Sequence, residues 1–116
     1  MKRDPRLYLE DIRESVIKIK RYTQGLSFEE FRNSEMVVDA VIRNFEIIGE
    51  AASQTPDSIK EKHSDVPWYK MKGLRNVIAH EYFGVRLITI WETIQNDLPT
   101  LESQIEKTLA ELMHKK

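Results

Sequence analysis

Apolar residues recur at spacings of three and four along nearly the whole of this 116-residue chain. No stretch shows the sustained two-residue alternation of a half-buried strand. A 3.6-residue period puts positions i, i+3 and i+4 on one side of a helix, so the chain reads as all-α. Asp4-Pro5 is an N-cap and first-turn pair, followed by the stripe Leu9, Ile12, Val16, Ile19 and a stop at Gly25. Ser27-Phe28-Glu29-Glu30 is a capping box for a short helix. A long helix is predicted from about Ser34 to Ser53.

That long helix is apolar around most of its circumference, from Met36 to Ala52. Only Asp39, Arg43, Glu46 and Glu50 line up in one polar sector, and Asn44 falls inside the apolar arc. Such a helix is predicted to be wrapped on several sides, as in a bundle core or a subunit interface. Pro56-Asp57 opens a short helix to about Lys62, and Pro67-Trp68 opens another that carries Met71, Leu74, Val77 and Ile78 inward to a break at Phe83-Gly84. From about Val85 a last stripe runs through Leu87, Trp91, Ile94, Leu98, Leu101, Ile105, Leu109 and Leu112. It stays in phase across Pro99, which predicts one kinked helix. The expected architecture is a single domain, 1–116, folded as an up-and-down bundle of four to five helices.

Composition removes several function classes. Without cysteine there is no disulfide framework, thiol nucleophile or thiolate metal site. No histidine pair at i, i+4 and no glycine-rich phosphate loop is present, so neither metal nor cofactor is expected. The N-terminus lacks the apolar core of a secretion signal, and no apolar run approaches the roughly 20 residues of a membrane span. A cytoplasmic protein without membrane attachment is expected. The formal charge of −1 conceals segregation, +3 over 1–22, −5 over 23–59, +3 over 60–86 and −2 over 87–116. A dedicated duplex binder is more basic, whereas a local anion site is compatible with this pattern.

One segment concentrates chemistry. Arg75, Asn76, His80 and Tyr82 fall within eight residues, next to Lys70 and Lys72. Histidine titrates near neutrality, and the guanidinium fork matches phosphate oxygens, so the set suits a phosphodiester. Arg75 and His80 are five positions apart, about 500° of helical rotation, and do not stack on one face. A single histidine supplies either the acid or the base. A two-fold dimer with this segment at its axis would supply both. The same residues also admit a structural reading, with Arg75 paired to a carboxylate such as Glu50, His80 bonded to a carbonyl and Tyr82 packed in the core. His63 and His114 read as solvated. The Asp39–Glu50 line reads as a charge ladder, with Glu50 or Asn44 the alternative orienting partners for Arg75 or His80. Trp68 and Trp91 read as core or interface anchors.

RNVIAHEYFG, with the upstream VIRNFEIIGEAA and PWYKMKGLRN and the downstream IWETIQNDLPTLESQI, closely resembles the HepT-like branch of the HEPN superfamily. The resemblance covers about Phe28 to Ile105. It implies a homodimeric helical bundle and metal-independent endoribonuclease activity, leaving a 2′,3′-cyclic phosphate and a 5′-hydroxyl. It also implies the toxin of a type VII-like toxin–antitoxin pair, whose partner, a minimal nucleotidyltransferase, transfers AMP to Tyr82. In this reading Arg75 holds the phosphate, His80 is the acid or base, and Asn76 helps orient the cleft. The alternative is a non-catalytic helical module that binds a nucleotidyltransferase and is modified by it.

Overall fold

Asp4 and Pro5 start the first helix as their chemistry dictates. The Asp4 carboxylate accepts the Arg6 amide at 3.0 Å, and the Arg6 guanidinium beside it holds that carboxyl below the usual aspartate range. Helix α1 runs Pro5–Thr23, and the chain then turns at Gly25, whose φ of +78° a side chain would strain. Residues 3–73 and 86–114 are described by this computed structural model, and every regular element among them is α-helical.

The remaining elements follow their sequence signals closely. Helix α2, Phe28–Arg32, carries the full capping box: Ser27 Oγ accepts the Glu30 amide at 3.1 Å, and Glu30 Oε1 accepts the Ser27 amide at 2.9 Å. Helix α3 spans Glu35–Gln54 behind the Ser34 cap. Helix α4 is Asp57–Lys62, and residues 68–73 are helical (α5). Helices α6, Leu87–Asn96, and α7, Leu98–His114, complete the described chain. The predicted positions Leu74, Val77 and Ile78, the Phe83-Gly84 break and the Val85 start lie outside the described residues.

Helix α1 packs along α3 over much of its length and also against α7, while α2 bridges α3 and α6. Leu9, Ile12, Val16 and Ile19 of α1 meet Val41, Phe45 and Ile48 of α3 and Ile105 and Leu109 of α7 in one core. Fully burying each large aliphatic group contributes about 1.5–3 kcal/mol before entropy is counted. Trp91 anchors α6 to α2, with ring centroids 5.2 Å from Phe31 and 6.2 Å from Phe28. Lys20 and Arg13 of α1 pair with Glu102 and Glu106 of α7 at the surface.

Three expectations are refined. The kinked helix is two helices that meet through Asp97, which keeps right-handed helical angles. Pro99 has no amide to give to the Gln95 carbonyl, so the ladder breaks there. The apolar stripe nevertheless stays in phase, with Ile94, Leu98 and Leu101 all buried. Helix α3 is not covered all round within the described chain: Met36 is 81% exposed, and Val37, Ala40 and Ile47 are only partly buried. His63, read as solvated, is buried at the end of α4, with Nε2 3.9 Å from Glu111 Oε1 of α7. The turn after α4 draws its ring inward, whereas His114 at the end of α7 is exposed.

Candidate active site

The chemistry-bearing segment is bracketed by two well-anchored helices. On its N-terminal side Trp68 is buried, and its Nε1 donates to the His63 carbonyl at 3.0 Å. Met71, one turn on, is buried and shares a cavity of about 310 Å³ with Phe45 and Ile48 of α3 and Leu98 of α7. Gln104 Nε2 of α7 donates to the Asp65 carbonyl at 2.8 Å, tying the loop before α5 to the C-terminal helix. On the C-terminal side Arg86 holds the N-cap position of α6 without a side-chain capping bond, and Ile90 on the first full turn is buried. Arg75, Asn76, His80 and Tyr82 themselves lie outside the described residues.

The two supporting residues predicted on α3 occupy different surroundings. Asn44 is buried, and its Nδ2 donates to the Ala40 carbonyl at 2.8 Å, one turn back on the same helix. That bond satisfies the burial requirement of an amide inside an apolar arc. Glu50 is exposed and lines a groove between α1 and α3 with Arg3, Tyr8, Asp11 and Arg43. There Arg3 lies 5.1 Å from the Tyr8 ring centroid and 2.8 Å from Asp11. The charge ladder is visible as Arg43 and Glu46, 3.7 Å apart, and as Gln54 beside Glu50. Asn44 and Glu50 are six residues apart, about 240° around the helix, so the fold does not bring them to one face.

Sequence reasoning passed over Tyr69 and Lys60. Tyr69 is 88% exposed, next to the buried Trp68. It lines a groove with Lys60, Lys70 and Lys72. The available signal was the helical period: with Trp68 and Met71 inside, Tyr69, Lys70 and Lys72 must face outward. Among the described residues no cluster of three or more histidine, aspartate and glutamate side chains is placed to hold a metal ion. Among them, too, no helix is long and apolar enough to cross a membrane.

Comparison with known proteins decides the family. The profile of the family described as "Ribonuclease HepT-like" matches residues 12–108, a span that includes Arg75, Asn76, His80 and Tyr82. The chain belongs to the HepT-like ribonuclease family. It is 43% identical over 105 residues to a protein of Caldanaerobacter subterraneus subsp. tengcongensis provisionally named an RNase, covering 90% of this chain and 94% of the relative. A protein of Thermococcus cleftensis named "Probable ribonuclease HepT" is 40% identical over 107 residues, 92% of this chain and 97% of the other. A provisionally named RNase of Methanocaldococcus jannaschii is 40% identical over 105 residues, 90% and 96% of the two chains. No solved structure shows a significant match. The enzyme class of this HepT-like chain is therefore that of its family, a ribonuclease.

Proposed function

We propose that this HepT-like ribonuclease is a cytoplasmic, metal-independent endoribonuclease toxin that works as a homodimer. The observation that carries the reading is a family match spanning 12–108 with Arg75-x4-His80-x-Tyr82 intact inside it. Each protomer contributes one Arg75 and one His80 to a shared cleft. One imidazole removes the proton of a ribose 2′-hydroxyl, and that oxygen bonds to phosphorus. The bond from phosphorus to the 5′-oxygen breaks as the other, protonated imidazole delivers its proton there. The products are a 2′,3′-cyclic phosphate and a 5′-hydroxyl. Arg75 binds the non-bridging oxygens and stabilises the charge they gather. Asn76 orients the cleft, with either Asn44 or Glu50, which face different sides of α3, as a positioning residue.

A minimal nucleotidyltransferase antitoxin would silence the enzyme by joining the AMP of ATP to the Tyr82 hydroxyl, releasing pyrophosphate. The adduct adds a negative phosphodiester and a nucleoside two residues from His80, excluding substrate by charge and by bulk. The test is RNA cleavage with EDTA present. Wild type is expected to cleave, with His80→Ala slower by roughly 10²–10⁴-fold and Arg75→Ala also impaired. Equal rates in all three proteins would overturn the mechanism.

A further inference from the structure

The groove between α4 and α5 has a chemistry of its own. It is open, about 520 Å³ in volume, and Lys60, Ser64, Pro67, Tyr69, Lys70 and Lys72 line it. No carboxylate is among its described lining residues; Glu61 and Asp65, close in sequence, are not part of the wall. Among the described residues Lys60, Lys70 and Lys72 have no ion pair. Three lysines without an ion pair among the described residues thus line one concave surface in a chain whose net charge is −1.

Tyr69 supplies the second observation. Its ring is 88% exposed while the adjacent Trp68 is 8% exposed. The residues beneath it are anchored, the Trp68 indole donating to the His63 carbonyl at 3.0 Å and the Met71 amide to the Pro67 carbonyl at 3.1 Å. An aromatic face held in water among cations matches the two requirements of single-stranded nucleic acid: a π-surface for a base and positive charge for the backbone. Flexible lysines rather than arginine forks suit a backbone tracked without fixed geometry.

Resting on the ribonuclease reading, we infer that this groove is a single-stranded RNA platform on which a base stacks on Tyr69 and the flanking phosphates pair with Lys60, Lys70 and Lys72. Lys72 precedes Arg75 by three residues, and three residues of chain span at most about 11 Å. The platform is thus adjacent in sequence to the arginine proposed to bind the scissile phosphate. Tyr69 selects substrates that are unpaired there, because a base stacked in a duplex has no free face to offer.

Anisotropy with an uncleavable 2′-O-methyl oligonucleotide tests this. The full-length protein is expected to bind the single strand more tightly than the duplex. Tyr69→Ala should weaken single-strand binding by about tenfold, with Tyr69→Phe restoring it. Changing all three lysines to glutamine should reduce the slope of log affinity against log salt by about 2, at roughly 0.7 per phosphate contact. Melting curves should show Tyr69→Ala folded, as its exposure predicts. Unchanged single-strand affinity in Tyr69→Ala, or equal affinity for duplex, would overturn the inference. So would a Tyr69→Ala protein that keeps RNA but loses its nucleotidyltransferase partner or its dimer, because the groove would then be a protein-docking face. This readout needs no cleavage, so an inactive wild type strikes the ribonuclease reading while the binding result still decides this one.

Discussion

Tyr82 and Trp68 show how differently two aromatic residues serve one segment. Tyr82 is proposed to act through its hydroxyl alone, as the acceptor of AMP. Tyr82→Phe is therefore expected to keep cleaving RNA in the presence of the nucleotidyltransferase and ATP, while intact-mass spectrometry finds no adduct. An adduct on the phenylalanine variant would move the modification to another residue. Trp68 acts by position. Its indole satisfies the buried His63 carbonyl and pins the start of α5. Trp68→Phe keeps most of the apolar bulk and leaves that carbonyl the Val66 amide at 3.1 Å, so loss of the indole bond should cost about 0.5–1.5 kcal/mol, read from denaturant unfolding. A change below a few tenths would mean that water takes over the bond.

Among the elements, α1 carries the bundle because it touches both α3 and α7. Ile105 of α7 is fully buried in the core they share. Ile105→Ala should destabilise the protein by about 2–5 kcal/mol through lost transfer energy and a residual cavity, measurable as a lower unfolding midpoint. A cost near zero would mean that the α1–α7 contact is loose. Local signals set these helices because their chemistry is short-ranged: Asp4, Ser27 and Ser34 each cap a start, and Gly25 supplies a left-handed turn. Pro99 was a harder case. Periodicity shows that the stripe continues, but whether the backbone bends or restarts depends on how α6 and α7 each seat on the core.

The whole molecule is where the catalytic proposal is decided, since one protomer supplies a single motif histidine. Light scattering is expected to report a particle of about twice the 13.7 kDa chain mass. A strictly monomeric particle would remove the second imidazole and with it the two-histidine mechanism. The partly uncovered face of α3 around Met36, Val37 and Ala40 offers apolar surface for such an association.

The helical class, the caps and the core stripes were legible because a 3.6-residue period and a capping hydroxyl or carboxylate act within one or two turns. The motif Arg75-x4-His80-x-Tyr82 was legible as a set of reactive groups, and its flanks carried the family. Burial of His63 was not, because it depends on Glu111 and Trp68, which approach only once α7 and α5 are packed. The separation of Asn44 from Glu50 follows from helical rotation, but their surroundings, one inside the bundle and one on the α1–α3 groove, were set by the neighbours that α3 meets. The gathering of Lys60 with Tyr69, Lys70 and Lys72 on one wall likewise belongs to tertiary structure: period alone turns each outward, and only the turn between α4 and α5 makes them face a common space.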